Sequence, residues 1–176
     1  MILYFLRHAS AGEHFVNPKK DEKRALDKEG IEQCGYVGRA LAALQAQVDV
    51  IVSSPLKRCT QTASLVGNEL GHEGKLQIDA ALRPEATLAD FRKLLEKYSR
   101  LEAVMVVGHN PNLSQFLGAI ISDSGCEASL ELKKGAVAKV ELRRSSGTLQ
   151  WCVTPKVLRT LYDIAVESAR PKTSRK

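Results

Sequence analysis

The stretch Asp49-Val-Ile-Val-Ser-Ser-Pro-Leu-Lys-Arg-Cys-Thr-Gln-Thr-Ala63 places a short apolar run directly before a segment whose apolar residues recur at helical spacing. The run over 49–52 is almost entirely apolar, which is typical of a strand buried on both faces. The segment over 55–70 begins with Ser54 as a cap and Pro55 at the first helical position. A buried strand that leads straight into a helix predicts an α/β fold with a mostly parallel sheet.

The same alternation continues on both sides of this stretch. Near-continuous apolar runs at 2–6 and 103–107 predict two more buried strands, and 76–78 predicts a weaker one. The alternating residues of 136–142 and 148–153 flank a turn, which predicts an antiparallel hairpin. Because a hairpin needs no crossover helix, we expect it at the edge of the sheet.

Apolar residues at helical spacing predict further helices over 28–44, 87–98, 111–121 and about 158–168. Two residues are predicted helix caps: Thr87, with Asp90 three residues later, and Asn110. Helices between parallel strands cover both faces of a sheet. We therefore expect one three-layer α/β/α domain over 1–168, followed by a basic, disordered tail over 169–176.

Composition argues against several functional classes. The formal net charge of +6 comes from scattered basic residues and from the terminal stretch, so it favours a solvated surface over nucleic-acid binding. The mild positive field would still attract phosphorylated or acidic partners. Eighteen consecutive apolar residues occur nowhere, and the short apolar start has no basic region before it. We expect no membrane partner and a cytoplasmic location.

Cysteine and histidine spacing indicates neither disulfides nor metal. The four cysteines, Cys34, Cys59, Cys126 and Cys152, form no C-x-x-C pair, and free thiols are expected in a reducing compartment. The four histidines show no H-E-x-x-H or similar ligand spacing. The chain is therefore expected to need no metal and no cofactor.

Chemically distinctive residues follow three of the predicted strands. Arg7 and His8 follow the first strand, Arg58 lies shortly after the second, and His109 follows the strand over 103–107. Singly, each is more often a surface or structural residue than a catalytic one. In an open α/β sheet, however, the carboxyl ends of the strands form the ligand site. Two arginines and two histidines converging there have the composition needed to bind and transfer a phosphoryl group.

These residues lie in four motifs, listed in chain order: Leu6-Arg-His-Ala9, Leu26-Asp-Lys-Glu-Gly30, Ser53-Ser-Pro-Leu-Lys-Arg-Cys-Thr-Gln-Thr-Ala63 and Val107-Gly-His-Asn-Pro111. Over about two thirds of its length the chain resembles the histidine phosphatase superfamily, also called phosphoglycerate mutase-like, whose hallmark is the Arg-His dipeptide after the first strand. Its short length and the segment 26–30 resemble the compact SixA-type protein phosphohistidine phosphatases. The resemblance implies a phosphorylated protein partner, such as the phosphotransfer domain of a signalling relay.

The four central residues have distinct expected roles. His8 attacks phosphorus through a neutral ring nitrogen and becomes a transient phosphohistidine. Arg7, Arg58 and His109 hold the phosphoryl oxygens, and an arginine can hold two of them at once. We expect His109 to be charged and, together with the arginines, to lower the pKa of His8.

The general acid is less well defined by the sequence. Larger relatives place a carboxylate between the second and fourth strands, which makes Glu85 the candidate, although a glutamate before a helix is also a common capping charge. Glu13 is a weaker alternative. SixA-type enzymes can do without a strong acid because a phosphorylated imidazole carries its own proton. Ser10 either contacts phosphate or only turns the chain, and the charged loop over 11–24 is expected to border the pocket and to meet the partner protein.

Two other functions remain open. A small-molecule phosphatase or phosphoglycerate mutase-like enzyme would use the same four residues, but the short stretch between Arg58 and His109 leaves little chain for a lid over a small substrate. A non-catalytic phosphate- or nucleic-acid-binding module would need cations but no nucleophile, so His8 argues against it. We expect a monomer.

Overall fold

The computed structural model describes residues 1–122, 128–143 and 146–169. It contains six strands and six helices, in the order β1 (Ile2–Arg7), α1 (Pro18–Glu22), α2 (Lys28–Ala43), β2 (Val50–Ser53), α3 (Lys57–Leu70), β3 (Gln77–Ile78), α4 (Leu88–Lys97), β4 (Ala103–Gly108), α5 (Asn112–Ile121), β5 (Val137–Arg143), β6 (Ser146–Val153) and α6 (Pro155–Ala169). A 3₁₀ turn over Ala80–Leu82 connects β3 to α4.

All six strands form one sheet in the order β3-β2-β4-β1-β5-β6. The first four strands in this order run parallel, while β5 lies antiparallel to β1 and β6 antiparallel to β5. The predicted mixed α/β sheet with an edge hairpin is therefore confirmed. Arg7 at the end of β1 is in register with Gly108 of β4, and Ser53 of β2 is in register with Val107. The carboxyl ends of these three strands thus meet at one edge.

The core has two halves, one on each face of the sheet. In strand β1, the side chains of Leu3 and Phe5 pack on the face covered by α4 and α5. Those of Tyr4 and Leu6 pack on the face covered by α2 and α3. Full burial of an aliphatic or aromatic side chain contributes about 1.5 to 3 kcal/mol relative to exposure. This double burial explains why β1 is a continuous apolar run and why it can hold the residue that follows it rigidly.

The helix α6 lies outside this pair of layers and packs against α2. The rings of Tyr36 and Tyr162 meet edge-on with centroids 6.0 Å apart. The guanidinium of Arg39 lies 5.2 Å from the centroid of Tyr36. The helix begins at Pro155, earlier than predicted. None of the helices in the described ranges is long and apolar enough to cross a membrane.

Two of the predicted helix caps are wrong, and one is confirmed. Helix α3 begins at Lys57 with Leu56 at the cap position and no side-chain cap, because the Ser54 hydroxyl contacts a histidine ring instead. Asn110 does not cap α5, since its Oδ1 accepts from the hydroxyl of Ser114 at 2.9 Å and its amide nitrogen donates to the carbonyl of Leu132. Thr87 forms the predicted capping box with Asp90.

Three further expectations concern the loops, the tail and the thiols. The short helix α1 lies within the loop over 11–24 and was not predicted. Most of the expected tail, residues 170–176, and Cys126 lie outside the described residues. Cys34, Cys59 and Cys152 are free thiols.

Candidate active site

A cavity of about 340 Å³ opens at the shared edge of β1, β2 and β4. It is lined by Arg7, His8, Gly12, His14, Arg24, Arg58, Pro84, His109, Asn110 and Lys134. All four residues that the sequence singled out are therefore brought together. Each follows a strand of the sheet or lies in the first turn of the helix after it, so the topology alone accounts for the convergence.

His8 is buried and has a defined tautomer. Its Nδ1 lies 2.8 Å from the carbonyl oxygen of Ala9. Because a carbonyl can only accept, Nδ1 carries the proton and Nε2 keeps its lone pair. Burial, followed by the charges of Arg58, Arg7 and Arg24, lowers the pKa of His8 to about 3, although its bond to Ala9 acts in the opposite direction. His8 is thus a neutral imidazole at neutral pH, as a nucleophile requires.

His109 faces His8, with ring centroids 5.2 Å apart. Its Nε2 lies 2.9 Å from the hydroxyl of Ser54 and 3.3 Å from the sulfur of Cys59, and these contacts hold the ring. Burial, together with the nearby His8 and Arg58, lowers the pKa of His109 to about 2. The prediction of a charged His109 is therefore wrong for the free protein, because burial and the neighbouring positive charges together outweigh the opposing charge of Asp21. A neutral ring still provides one N–H for a phosphoryl oxygen.

Arg7 and Arg58 are held by the protein at one nitrogen and left without a partner at another. Arg7 donates from Nη1 to the carbonyl of Leu132 at 2.8 Å, and Arg58 donates from Nη1 to Asp21. Within the described residues, the buried Nε of each arginine has no hydrogen-bond acceptor. Buried donors are rarely left unpaired in proteins. An anion in the cavity would supply the missing acceptors.

Two residues that the sequence analysis did not single out also shape the site: Arg24 adds a third arginine to the cavity lining, and Asp21 accepts hydrogen bonds from Arg24 and Arg58. Asp21 is 5% exposed, and it accepts from Arg24 Nε at 2.7 Å and from Arg58 Nη1 at 3.1 Å. Burial raises the pKa of Asp21, but the two arginines and the amide of Phe15 outweigh this, so the net shift is downward. The expectation that the charged loop borders the pocket was therefore right in outline, but it did not identify these two residues.

Arg24 in turn closes the loop over the cavity. Its Nη1 donates to the carbonyls of Ala11 at 3.0 Å and Gly12 at 3.3 Å. His14 is exposed, and it lines the cavity with its Nδ1 3.1 Å from Asp21. The only sequence signal for this network is the Asp-x-x-Arg spacing, which is common on any helix.

The segment 26–30 shapes the loop that follows His8. The carboxylate of Asp27 accepts from the hydroxyl of Ser10 at 2.8 Å and from the backbone amides of Gly12 and Gly30, both at 2.7 Å. A Cβ at Gly30 would lie 2.0 Å from the carbonyl oxygen of Ser10, so only glycine fits there. Ser10 is therefore tied to Asp27, and it does not line the cavity.

The Gln-Thr pair in the longest motif joins α3 to the same loop. The hydroxyl of Thr62 accepts from the amide of Ala9 at 3.1 Å and donates to the carbonyl of Arg58 at 2.7 Å. Gln61 accepts from the amide of Leu26 at 2.8 Å. One turn of α3 thus fixes both the nucleophile loop and the segment that begins with Leu26.

Glu85 is not brought to His8. Its side chain is 67% exposed and accepts a hydrogen bond from Arg83 Nε at 2.5 Å. This bond lowers the pKa of Glu85, whereas a general acid at neutral pH needs a raised pKa. Glu13 is likewise exposed. Among the described residues, no Asp or Glu lines the cavity, and no group of three or more His, Cys, Asp or Glu side chains could hold a metal.

Sequence comparison identifies related proteins. Residues 3–97 match the profile of the histidine phosphatase superfamily (branch 1). An uncharacterized protein of Picosynechococcus sp. is 31% identical over 154 residues, which are 85% of this chain and 89% of that protein.

Comparison with solved structures shows the same fold. A protein histidine phosphatase SixA in complex with tungstate superposes with a TM-score of 0.80 at 22% identity, covering 90% of this chain and 99% of that chain. A protein assigned as a SixA phosphohistidine phosphatase from Agrobacterium tumefaciens gives 0.73 at 23% identity, with coverages of 88% and 97%. The α-ribazole phosphatase of Shigella flexneri gives 0.66 at 16% identity, with coverages of 88% and 97%.

Proposed function

This chain belongs to the histidine phosphatase superfamily (branch 1), and from this premise we propose that it is a phosphatase acting on protein phosphohistidine through a covalent intermediate on His8. The structural likeness to SixA proteins supports the fold, and the cavity supplies the chemistry. The tungstate bound to one of these proteins is a tetrahedral oxyanion, which agrees with a cavity built for phosphate.

The first step transfers the phosphoryl group to the enzyme. The lone pair of His8 Nε2 attacks phosphorus, and the bond between phosphorus and the substrate imidazole breaks. The leaving imidazole keeps the proton on its other nitrogen and departs neutral. Arg7, Arg24 and Arg58 stabilise the three equatorial oxygens, and each such donor contributes on the order of 3 kcal/mol to the transition state.

The second step returns the enzyme to its starting state. Water attacks the phosphorus of phosphorylated His8, the bond to Nε2 breaks, and inorganic phosphate leaves with the oxygen of water. His8 regains the neutral form with its proton on Nδ1, which the Ala9 carbonyl holds throughout. Neither step requires a metal or a cofactor.

The observation that carries the proposal is the lining of the cavity, in which the described residues supply cations but no carboxylate. A phosphate ester leaves as an alkoxide and needs a general acid near its oxygen. A phosphorylated imidazole leaves as a neutral ring and does not. This lining therefore favours phosphohistidine over small phosphate esters.

Phosphate release from a phosphohistidine-bearing phosphotransfer domain, in the presence of EDTA, tests the proposal. The native protein is compared with His8→Ala, and His72→Ala is the matched control. His72 follows the far end of α3, a helix of 14 residues and so about 21 Å long, where its Nδ1 contacts the carbonyl of Val48. We expect loss of turnover only in His8→Ala.

A phosphoserine peptide and 3-phosphoglycerate are measured alongside. Preference for the phosphohistidine protein supports the substrate. Cleavage of the esters alone would move the assignment to a small-molecule phosphatase with the same site. Activity of His8→Ala equal to that of the native protein would contradict the catalytic role of His8 altogether.

A further inference from the structure

A second cavity of about 500 Å³ adjoins the catalytic one, and Arg7 and Lys134 line both. It runs along the end of β6 and the beginning of α6, on the side of the catalytic cavity away from α4. We call it the basic groove and define it by Arg7, Lys133, Lys134 and Lys156. None of the roles assigned to the catalytic residues uses Lys133 or Lys156.

The basic groove has a marked excess of positive charge. Of the described residues that line it, four are cations and only Glu29 is anionic. The carboxylate of Glu29 already accepts a hydrogen bond from Gln33 at 2.9 Å. Lys133 also pairs with Glu131, which lies beside the groove, but the four cations still exceed these two carboxylates by two. The net charge along the groove therefore remains positive, and it complements an anionic ligand.

The groove is larger than the phosphoryl chemistry requires. A phosphorylated imidazole ring is accommodated by the catalytic cavity alone, because His8, Arg24 and Arg58 line that cavity and not the groove. The additional cationic surface begins at Arg7, outside the space that the phosphorylated side chain fills. It can therefore contact only the substrate groups next to that side chain. A small phosphate ester without a second anionic group has nothing to place there.

We propose that the basic groove binds acidic side chains that flank the phosphorylated histidine on the protein substrate, a proposal that rests on the function proposed above. The groove supplies recognition, and the catalytic cavity supplies turnover. Complementary charge of this kind mainly accelerates association and selects partners.

Nucleic acid fits the groove less well than an acidic protein segment. Binding of single strands relies on aromatic side chains on which bases stack. In the part of the chain that the structure describes, none of the residues that line the groove is aromatic. Thr154 instead supplies a hydroxyl of the kind that pairs with a peptide.

The test uses the double variant Lys133→Glu/Lys156→Glu. We expect kcat/KM for the phosphohistidine phosphotransfer domain to fall on the order of tenfold through a higher KM, and its dependence on salt to weaken. For free phosphohistidine, which has no flanking side chains, kcat/KM is expected to stay within about twofold of the native value. The matched control is Lys75→Glu/Lys93→Glu, which changes the net charge equally but places the substitutions on exposed residues near β3 and on α4, at the opposite edge of the sheet.

The outcomes separate this proposal from the proposed function. If the native protein cleaves neither phosphohistidine substrate, the proposed function fails, and the groove proposal fails with it. A different result would overturn the groove proposal alone: the native protein cleaves both substrates, but the groove variant and the control variant have the same kcat/KM for the protein substrate. Competition by a single-stranded oligonucleotide that disappears in the groove variant would likewise overturn it, in favour of nucleic acid.

Discussion

Asp21→Asn is the substitution that tests the geometry of the site most directly. Asp21 Oδ1 accepts from Arg24 Nε at 2.7 Å and from the amide of Phe15 at 3.2 Å, while Oδ2 accepts from Arg58 Nη1 at 3.1 Å. Asparagine can keep the first oxygen, but it replaces the second with an NH₂ group. The NH₂ group of the asparagine and Nη1 of Arg58 are both hydrogen-bond donors, so they cannot pair. Arg58 therefore loses its charged acceptor.

The size of the effect follows from this single lost contact. A hydrogen bond to a charged group contributes about 1.5 to 3 kcal/mol, and each 1.4 kcal/mol corresponds to about tenfold in rate. If Arg58 is held in place for the transition state by Asp21, kcat/KM should fall about 10- to 100-fold. The free energy of unfolding should fall by a similar amount, because two buried arginines then share an uncharged partner.

Steady-state turnover of free phosphohistidine and urea unfolding measure the two quantities. Asp163→Asn is the matched control, because Asp163 is exposed and lies 3.9 Å from Arg159. Exposed pairs of this kind contribute little. Asp21→Asn with kcat/KM and stability equal to those of Asp163→Asn would refute the reasoning, since Arg58 would then be positioned without Asp21.

Three further predictions follow from the contacts. Glu85→Gln should leave kcat/KM for phosphohistidine within about twofold of the native value, because its carboxylate is exposed and outside the cavity; a loss near 100-fold would show that Glu85 reaches the substrate after all. Because burial depresses the pKa values of His8 and His109, the unfolded chain binds more protons below pH 6.5, so the free energy of unfolding should fall as pH drops from 6.5 to 5, by about 1 to 2 kcal/mol per histidine. Urea titrations at each pH measure this fall. If His8→Ala loses as much stability between pH 6.5 and 5 as the native protein does, His8 makes no contribution. Gly30→Ala should destabilise by about 1 to 3 kcal/mol, since its Cβ would overlap a backbone carbonyl, whereas Gly35→Ala meets only the movable end of an arginine and should cost less in the same unfolding assay.

The proposed function gives the open cationic cavity a simple rationale. A site without a carboxylate in its lining is poorly suited to an alkoxide leaving group, but it suits an imidazole that leaves with its own proton. Specificity for one protein over another must then come from surfaces outside the cavity. The basic groove is the surface proposed for this role.

The main features of the fold could be predicted from the sequence because they depend on local patterns. Continuous apolar runs predicted β1, β2 and β4, and helical spacing predicted α2, α4 and α5, since burial on a strand or a helix repeats at a fixed period. The Thr87 cap was predictable because the residue that pairs with it lies three positions away. Parallel strands also bring their carboxyl ends together, so the convergence of Arg7, His8, Arg58 and His109 needed no coordinates.

Only the tertiary structure decided the contacts and charge interactions between segments that are far apart in the chain. Asp21 meets Arg58 across 37 positions, and Ser54 meets His109 across 55, so no local pattern predicts either pair. Competing contacts also overrode two predicted helix caps, because Ser54 contacts His109 and Asn110 contacts Leu132 and Ser114. The protonation state of His109 depends mainly on how completely the fold excludes water from its ring, because loss of water disfavours the charged form, and the arginines that the fold brings near it act in the same direction. Burial of that kind is a property of the folded chain as a whole, whereas spacing is a property of the sequence.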